Sequence, residues 1–391
     1  MSERYDVVIV GAGIHGAGVA QAAAAQGYRT LVLEQDSVAG ATSSRSSKLI
    51  HGGLRYLEQA QLGLVRECLR ERELLLRLAP DLVHLKAFRI PVYRETRRRP
   101  WQLRAGLSLY ALLAGLGKHA SFRSLPRRAW DGLDGLSTDG LQAVFEYQDG
   151  QTDDAALTRA VLHSAVSLGC EVRLPTRLLD AERSSMDVQI VYEEDGKQQT
   201  CVSAVLVNAT GPWVAEVAGL IRPAPPKVPV DLVQGCHLLL DIPARDCIYY
   251  MEVPEDGRAV FLMPWRGMSL LGTTENLFEG ADPGAVTPRP DEQQYLLRLM
   301  QHYFPRLPFK VTGAFAGLRV LPRDSGRPFE RGRELILEGD ASVRAAAMEN
   351  PLVTEELLGL VLPFSPHGAF FPAASEDGCL VFRHDHLLGP S

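Results

Sequence analysis

The sequence predicts an α/β protein: a Rossmann-like nucleotide-binding domain with an inserted α+β domain built on an antiparallel sheet. Three observations support this prediction. A short apolar run, a glycine-rich turn and an alanine-rich helical stretch fill the first 26 residues. A second strand–helix–strand pattern occupies residues 153–175. Between residues 237 and 272, short apolar segments alternate with turns, as in antiparallel sheets.

The N-terminal segment has the order of elements that binds a dinucleotide. After the first apolar run, Gly11, Gly13 and Gly16 form G-x-G-x-x-G at the start of the helical stretch. The first glycine permits a tight turn, the second lets the backbone approach a pyrophosphate, and the third lets helix and strand pack closely. A second apolar run, residues 30–33, ends at Glu34, whose carboxylate can accept both ribose hydroxyls. The segment therefore predicts a dinucleotide that contains an adenosine ribose.

Two polar segments follow. Residues 41–48, A-T-S-S-R-S-S-K, place five hydroxyls and two cations where they can donate to a pyrophosphate and line a flavin ring; the alternative is a flexible serine-rich loop. Residues 51–58, H-G-G-L-R-Y-L-E, combine two glycines with Arg55 and Tyr56, which can bind an anionic group. Taken alone, this second segment is better explained as a turn that leads into a helix over residues 57–78, with Arg55 merely exposed.

Two further features carry less information. A-T-G-P-W at 209–213 ends an apolar run and restarts a helix, and Gly211 permits close approach of a cofactor. An ordinary strand-to-helix turn has the same pattern. His237 is a single histidine in a predicted strand, which is more often structural than a base.

Composition narrows the functional classes. The 391 residues predict two or three domains, and 41 Lys and Arg against 47 Asp and Glu argue against a nucleic-acid binder. The six cysteines lack metal-ligand spacing, so reduced thiols are expected and a metal site is not. The N-terminus leads directly into a strand and no long uncharged apolar run follows, so neither a signal peptide nor a transmembrane helix is expected.

One segment leaves two interpretations open. Arg97-Arg-Arg-Pro-Trp101 precedes an apolar stretch over residues 103–116. This pattern is typical of a core helix that follows a solvated basic turn. It also fits a basic, aromatic-flanked amphipathic surface that rests on anionic lipid.

Together these residues resemble the FAD-dependent glycerol-3-phosphate dehydrogenases, members of the glutathione-reductase-like, D-amino-acid-oxidase-type flavoprotein superfamily. The resemblance covers residues 5–337 and is most specific at A-T-S-S-R-S-S-K-L-I-H-G-G-L-R-Y-L-E (41–58). Other matching segments are V-N-A-T-G-P-W (207–213), Q-G-C-H (234–237), G-T-T-E (272–275) and G-L-R-V-L (317–321). Arg45 stands where the family more often has a small residue, and His15 where Asn or Thr is common.

The resemblance implies a cofactor, a substrate and their binding residues. The implied FAD-binding residues are Gly11, Gly13, Gly16, Glu34, Thr42, Ser43, Ser47, Lys48, Leu49, Ala209 and Gly211. The residues implied to surround sn-glycerol 3-phosphate are Arg55, Tyr56, Thr273, Arg319 and Arg333. The implied catalytic residues are His237, Arg55 and Arg319. His237 would take the C2 hydroxyl proton while hydride passes from C2 to flavin N5, and the electrons would then leave to a quinone or another acceptor.

The resemblance also implies a domain organisation. Residues 1–84, 150–224 and 312–340 would form a discontinuous FAD-binding domain. Residues 85–149 and 225–311 would form the substrate or cap domain, and residues 341–391 an atypical C-terminal tail. The expected location is the cytoplasm, with a peripheral position on the inner face of the cytoplasmic membrane as the open alternative.

The sequence departs from the family after residue 337. The family there has a G-G-K-x-T-x-Y-R segment that closes over the flavin and supplies a lysine, and this sequence does not contain it. The departure predicts weakened FAD binding. Besides glycerol-3-phosphate oxidation, two alternatives therefore stay open: an FAD oxidoreductase of another 2-hydroxy or 2-amino acid, and a flavin-poor inactive homologue with a binding or regulatory role.

Overall fold

Helices and strands were assigned in a computed structural model that describes residues 2–58, 60–115, 119–184, 187–225, 229–243 and 245–323, together with the backbone of two short strands nearer the C-terminus. The helices are α1 (Ile14–Ala25), α2 (Leu62–Leu78), α3 (Pro100–Leu113), α4 (Asp154–Ser167), α5 (Val214–Ala218) and α6 (Pro290–Tyr303). The strands are β1 (Glu3–Val10), β2 (Thr30–Leu33), β3 (Leu49–Ile50), β4 (Val83–Tyr93), β5 (Phe122–Ser124), β6 (Leu141–Thr152), β7 (Glu171–Arg173), β8 (Thr176–Arg183), β9 (Val188–Glu194), β10 (Lys197–Asn208), β11 (Ile221–Arg222), β12 (Val230–Leu240), β13 (Cys247–Glu252), β14 (Ala259–Trp265), β15 (Met268–Gly272), β16 (Asn276–Leu277), β17 (Val311–Pro322), β18 (Pro372–Ala374) and β19 (Leu380–Phe382).

The first sheet has seven strands in the order β11-β8-β9-β10-β1-β2-β7. The pairs β1–β10, β1–β2 and β2–β7 are parallel, as the strand–helix–strand pattern predicts. Alternate residues of β1 serve different cores: Val7 and Ile9 pack with α1 and α4, whereas Val8 and Val10 pack with β8 and β9. Burial on both faces explains why this strand is apolar throughout.

Parallel pairing brings the candidate cofactor residues to one edge. Val10 lies opposite Leu33 of β2 and Asn208 of β10. The residues that follow these three strands therefore meet where the carboxyl ends of the strands meet, which is the usual ligand edge of such sheets.

The second sheet contains ten strands. Eight follow the order β16-β12-β15-β14-β13-β4-β6-β3, with β17 on the other side of β12 and β5 paired to β6. Its pairs are antiparallel except β13–β4. Helix α6 packs in one core cluster of this sheet, and α2 and α3 pack in another. The predicted fold class, a Rossmann-like domain combined with an antiparallel-sheet domain, is confirmed.

Sheet membership differs from the predicted domain boundaries in three places. Residues 312–340 are predicted to belong to the nucleotide-binding domain, but β17 pairs with β12 along the second sheet. The predicted boundaries near 84 and 150 also fall inside β4 and β6 of that sheet. The reason is that a single apolar strand carries no signal for which sheet edge it will join.

The segment with two open interpretations forms α3, which serves as a core helix on one face. Leu107 and Tyr110 are buried, whereas Trp101 is 70% exposed and Leu112 is 59% exposed. The helix thus has a core face and an exposed apolar face. Within the residues that the structure describes, no helix combines the length and apolarity needed to cross a membrane.

Two predictions concern residues outside the described ranges. Arg333 lies outside the described residues, and so does the tail 341–391 except for β18 and β19, which pair antiparallel. Cysteines in the described ranges are buried and unpaired: Cys68, Cys170, Cys201, Cys236 and Cys247.

Candidate functional site

The glycine-rich turn after β1 leaves no room for side chains. Gly11 has φ +101°, and a Cβ on it would lie 2.7 Å from the carbonyl oxygen of Ala209. A Cβ on Gly16 would overlap the carbonyl oxygen of Gly11. The structure therefore brings the predicted residues Gly11, Gly16 and Ala209 together, with Gly211 two residues further along the chain from Ala209.

Glu34 is fixed beside this turn. Its Oε2 accepts a hydrogen bond from the Ala12 N–H at 2.7 Å, and its Oε1 accepts one from the Asp36 N–H at 2.9 Å. These bonds hold the carboxylate at the end of β2. Because each carboxylate oxygen can accept more than one hydrogen bond, Glu34 can still receive two ribose hydroxyls.

The N-terminus of α1 meets the serine-rich segment 41–48. Gly13 is the N-cap and provides no side chain, and the Ile14 N–H donates to Ser43 Oγ at 2.9 Å. A helix N-terminus combines exposed N–H groups with a positive dipole end, so it favours a phosphate. The predicted residues Gly13 and Ser43 thus lie side by side at an anion-binding position.

A buried ion pair holds segment 41–48 in place. Lys48, 3% exposed, donates from Nζ to Asp154 Oδ1 at 2.8 Å and to the Ser44 carbonyl at 2.6 Å. Asp154, the first residue of α4, also accepts from the N–H and Oγ of Ser46 at 3.0 and 2.7 Å. The segment is therefore tied to a helix, in contrast to the flexible loop that was the alternative interpretation.

The same segment also contacts the second sheet. Thr42 Oγ1 donates to the Leu318 carbonyl at 2.6 Å, and Arg45 Nη1 donates to the Ala316 carbonyl at 2.9 Å. Leu49, which follows the segment, pairs with Gln151 of β6. Arg45, which departs from the family pattern, thus attaches the segment to β17.

His237 lies where the segment and the second sheet meet. Its Nε2 is 3.1 Å from Ser47 Oγ, and its ring stacks on Phe315 at 4.9 Å between centroids. On the paired strand β15, a Cβ on Gly272 would overlap the imidazole. The Nδ1 atom is buried and has no hydrogen-bond partner within the part of the chain that the structure describes.

The surroundings of His237 disfavour its charged form. Burial, and to a smaller extent the charges of Lys48 and Arg319, lower the pKa of His237 to about 3. Since a cation in a low-dielectric interior loses hydration and is repelled by neighbouring cations, the imidazole is neutral at physiological pH. A neutral imidazole can accept a proton.

Arg319 and Thr273 border the histidine. Arg319 Nη1 pairs with Glu275 Oε1 at 3.2 Å, with the arginine side chain 33% exposed. Thr273 directly follows Gly272, the partner of His237, and its Oγ1 donates to the Thr274 carbonyl at 3.0 Å. The structure thus brings His237, Ser47, Lys48, Thr273 and Arg319 into one region.

Arg55 and Tyr56 lie on a separate turn that follows β3. Both belong to a 3₁₀ turn over Leu54–Leu57 that begins after Gly53 at φ +72°. The half-buried Arg55 guanidinium lies 5.4 Å from the centroid of the buried Tyr56 ring. Since β3 comes immediately after Lys48, this turn continues from the segment that contacts His237.

Three acidic residues that were not predicted from the sequence support the site. Asp154 holds segment 41–48, as described above. Glu292 of α6 accepts from Thr274 Oγ1 at 2.7 Å and from Gln234 Nε2 at 2.6 Å, and so braces the G-T-T-E turn. Asp149 of β6 accepts from the Gly52 N–H at 3.3 Å. Only Asp154 had a signal, an acidic pair at the start of a predicted helix.

Comparison with known proteins identifies the family of this chain. Residues 6–344 match the model of a family described as FAD dependent oxidoreductase. The chain therefore belongs to the FAD-dependent oxidoreductase family. It is also similar to several proteins that are named polyol-phosphate dehydrogenases. One is the aerobic glycerol-3-phosphate dehydrogenase of Escherichia coli, 37% identical over 330 residues, which cover 82% of this chain and 64% of the relative.

Two other relatives extend the comparison. The glycerol-3-phosphate dehydrogenase of Pseudomonas aeruginosa is 36% identical over 90% of this chain and 68% of the relative. The D-erythritol 1-phosphate dehydrogenase of Brucella abortus is 34% identical over 86% of this chain and 68% of the relative. The chain thus spans about two thirds of the length of these curated relatives. The resemblance to the glycerol-3-phosphate dehydrogenase family is confirmed.

Solved structures share the fold. The glycerol-3-phosphate dehydrogenase of Bacillus halodurans, complexed with FAD, has a TM-score of 0.68 at 22% identity, covering 91% of this chain and 65% of that one. The L-alpha-glycerophosphate oxidase of Mycoplasma pneumoniae has a TM-score of 0.69 at 16% identity, covering 94% and 98%.

The described residues fit FAD, the cofactor of this family. The turn at Gly11 and Gly16 gives a phosphate close access to backbone, and Glu34 stands at the ribose position. Segment 41–48 extends from the N-terminus of α1 to His237. Glu34 would hold the adenosine ribose, and the N-terminus of α1 with Ser43 would hold the pyrophosphate.

Proposed function

We propose that the protein is an FAD-dependent dehydrogenase that oxidises sn-glycerol 3-phosphate to dihydroxyacetone phosphate. The observation that carries this proposal is the position of His237. A neutral, buried histidine contacts Ser47 of segment 41–48 and is flanked by two cations, Lys48 and Arg319. An alcohol base beside Arg319, whose guanidinium is partly exposed, suits a phosphorylated alcohol, and the named activities of the curated relatives support the same substrate class.

When bound, FAD supplies an acceptor for the two electrons of the alcohol's C–H bond. His237 then serves as the group that accepts the C2 hydroxyl proton, because its imidazole is uncharged and has a buried nitrogen with no partner in the described residues. Proton removal from the alcohol makes departure of hydride easier, since negative charge builds up on the oxygen.

The substrate itself adjusts the proton affinity of His237. Lys48 and Arg319 lower the pKa of His237 in addition to the effect of burial. A phosphate dianion beside Arg319 offsets part of this positive field. Substrate binding therefore raises the pKa of His237 toward the range in which a general base is effective.

Arginines bind the phosphate in this proposal. A guanidinium has five N–H donors, and Arg319 uses one of them in its pair with Glu275. Its partly exposed side chain can direct others at a phosphate. Arg55 contributes a second guanidinium from its turn, because a dianion in a partly dry cleft needs several cations.

A second candidate substrate is a longer polyol phosphate. The Brucella abortus relative, named D-erythritol 1-phosphate dehydrogenase, matches this chain as fully as the glycerol-3-phosphate dehydrogenases do. Both substrates present a phosphate and a secondary alcohol. A carboxylate substrate, the third possibility raised by the sequence, has no such support among these relatives.

The test is an anaerobic visible spectrum of the purified protein with each substrate in turn. We expect the flavin bands to bleach with sn-glycerol 3-phosphate and much more slowly with D-lactate or glycine. Faster bleaching with D-erythritol 1-phosphate would select the second candidate. Flavin bands that persist with both phosphates but bleach with a carboxylate or amino acid would refute the proposal.

The electron acceptor and the location are also part of the proposal. We infer a peripheral position on the inner face of the cytoplasmic membrane, through α3, with a quinone or another acceptor taking up the electrons. The support is an exposed apolar pair, Trp101 and Leu112, next to the basic run at 97–99. Vesicle co-sedimentation tests this: Trp101→Ser should reduce binding to anionic vesicles, whereas Leu277→Ser, at another exposed apolar side chain, should not. Equal binding of both variants would refute the assignment of α3.

A further inference from the structure

A buried charged cluster lies behind the turn that carries Arg55. Asp149 of β6 is fully buried and pairs with Arg72 of α2, which is 1% exposed, through Oδ1 and Nη1 at 2.9 Å. Tyr110 of α3 donates its hydroxyl to Asp149 Oδ2 at 2.8 Å. A buried carboxylate is costly unless it is paired and hydrogen-bonded, so these contacts offset the cost of burying Asp149.

The cluster also binds backbone. The Gly52 N–H lies 3.3 Å from both Asp149 oxygens, and the Gly150 N–H donates to Oδ1 at 3.2 Å. The Gly52 contacts matter most, because this glycine belongs to the H-G-G-L-R-Y-L-E segment. The Gly52 N–H is therefore bonded to a carboxylate that has no exposure to solvent.

Close packing strengthens this attachment. A Cβ on Gly52 would overlap both the Tyr110 hydroxyl and the Leu69 side chain. On the facing strand, a Cβ on Gly150 would lie 2.7 Å from the Ile50 carbonyl oxygen. The chain from Ile50 to Gly52 is therefore pressed against β6, α2 and α3, and Tyr110 contacts the carboxylate and the glycine at once.

The position of Gly52 determines where the turn that carries Arg55 begins. Gly53, at φ +72°, redirects the chain, and its carbonyl accepts the Tyr56 N–H at 2.8 Å to start the 3₁₀ turn. A single helical turn has little stability of its own. Its orientation, and with it the direction of the Arg55 guanidinium, depends on where Gly52 and Gly53 are held.

We propose that Asp149 is a positioning residue: supported by Arg72 and Tyr110, it fixes Gly52 so that the following turn presents Arg55 to the substrate phosphate. This inference rests on the proposed function, because the role of Arg55 does. The competing explanation is a purely structural ion pair that attaches α2 and α3 to the second sheet. The two explanations differ in what a mild change does to substrate binding.

Tyr110→Phe is the mild change, because it removes one hydrogen bond to Asp149 and leaves the ion pair intact. Tyr93→Phe is the matched control: Tyr93 is equally buried in the second-sheet region, and its hydroxyl donates to the Ser137 carbonyl at 2.6 Å, away from Gly52. Arg72→Lys, which keeps the charge but loses the planar fork, is a second test variant should Tyr110→Phe fold poorly.

Two measurements are made on the full-length, FAD-loaded chain. Hydrogen exchange by mass spectrometry on peptides covering residues 50–57 should be about tenfold faster in Tyr110→Phe, and unchanged in Tyr93→Phe. Steady-state kinetics with sn-glycerol 3-phosphate should show a KM about five- to tenfold higher in Tyr110→Phe, with kcat within about twofold of wild type.

Each result decides the proposal. Unchanged exchange in residues 50–57 overturns it, and so does faster exchange with an unchanged KM. If the wild-type protein does not oxidise glycerol phosphate, the proposed function fails on that observation alone. Calorimetric binding of inorganic phosphate then replaces KM: weaker binding in Tyr110→Phe than in Tyr93→Phe supports the positioning role, and equal binding overturns it.

Discussion

At the scale of single residues, His237 shows how surroundings determine chemistry. The sequence presents one histidine in a strand and leaves its role open. The structure surrounds the ring with Phe315, Gly272 and Ser47, so that the imidazole loses its hydration. This loss, reinforced by two cations, makes the residue a neutral proton acceptor.

This environment has a consequence for stability against pH. The pKa of His237 is lowered to about 3 in the folded state, whereas an unfolded histidine titrates near its ordinary value of about 6.5. Between these values the unfolded state binds more protons, so acidification destabilises the fold by up to about 1.4 kcal/mol per pH unit. Stability contributed in this way is fully present above pH 6.5 and is lost as the pH falls.

We expect His237→Gln to remove this dependence. Urea denaturation at pH 7.5 and pH 5 should show the wild type losing about 1–2 kcal/mol more than the variant over this interval. His163→Gln, at an exposed position of α4, is the control and should keep the wild-type pH dependence. A His237→Gln variant with the same pH dependence as wild type would contradict the assigned environment.

Gly16 permits a test of the cofactor turn. We expect Gly16→Ala to purify with little or no flavin, because its Cβ would overlap the Gly11 carbonyl oxygen and force helix and turn apart. Gly27→Ala is the matched variant: it has φ +85° and open space around it, so it should lose only about 1 kcal/mol of stability and keep its flavin. The flavin-to-protein absorbance ratio measures both, and equal ratios would contradict the assignment of the turn.

Residue-scale predictions from sequence succeed where the chemistry is local. The glycines and Glu34 were placed together by the sequence because their contacts follow from one strand–turn–helix unit. The contact of Arg45 with Ala316 joins residues 271 positions apart, and nothing near Arg45 in the sequence signals it.

At the scale of elements, segment 41–48 is held by contacts at several points: the ion pair of Lys48 with Asp154 and the bonds of Thr42 and Arg45 to β17. Asp153 and Asp154 begin the same helix but do different work. Asp153 is the N-cap of α4 and accepts the Ala156 N–H at 3.0 Å, whereas Asp154 neutralises the buried Lys48. Substituting each aspartate in turn therefore tests how much the ion pair with Lys48 contributes to stability.

We expect Asp154→Ala to destabilise the protein by about 3–5 kcal/mol, because it leaves Lys48 buried without its partner. Asp153→Ala removes a cap and a partly exposed ion pair with Arg266, so it should cost about 1 kcal/mol. Chemical denaturation of both variants gives the comparison. Equal losses would show that Lys48 does not depend on Asp154.

Element boundaries were less predictable than element types. The spacing of leucines over residues 57–78 predicts one continuous helix. The structure instead has a 3₁₀ turn to Leu57 and begins α2 at Leu62. Ala60, at φ +56°, lies between the two, and a left-handed residue cannot belong to a right-handed helix. Apolar spacing gives no sign of such a residue, because alanine is otherwise the best helix former.

At the scale of the whole molecule, the fold class could be predicted, but the contacts that join the two sheets through segment 41–48 could not. Strand β17 pairs with β12 and brings Ala316 and Leu318 against segment 41–48. The serine-rich segment therefore joins three things: the N-terminus of α1 on the first sheet, β17 on the second, and His237 between them. Long-range pairing of this kind depends on sheet geometry rather than on local pattern.

The contacts of segment 41–48 with both sheets determine how FAD should affect the stability of the fold. A ligand that binds only the folded state, at a free concentration of about 100 times its dissociation constant, stabilises it by about 2.7 kcal/mol, which for a chain of this size raises Tm by about 3 °C. We expect this shift in the wild type and its absence in Gly16→Ala. A purified wild-type protein without flavin and without a Tm shift would instead support the flavin-poor alternative that the sequence after residue 337 suggested.

The distribution of the added stability is a sharper measurement. Because Ser43 contacts the Ile14 N–H on the first sheet while Thr42 contacts the Leu318 carbonyl on the second, a cofactor that orders segment 41–48 should stabilise both sheets. Hydrogen exchange should therefore slow in peptides from β1 and from β17 when FAD is added. Thr42→Val removes the bond to Leu318 and should reduce the slowing in β17 more than in β1. Slowing confined to β1 in the wild type would show that segment 41–48 does not transmit cofactor binding to the second sheet.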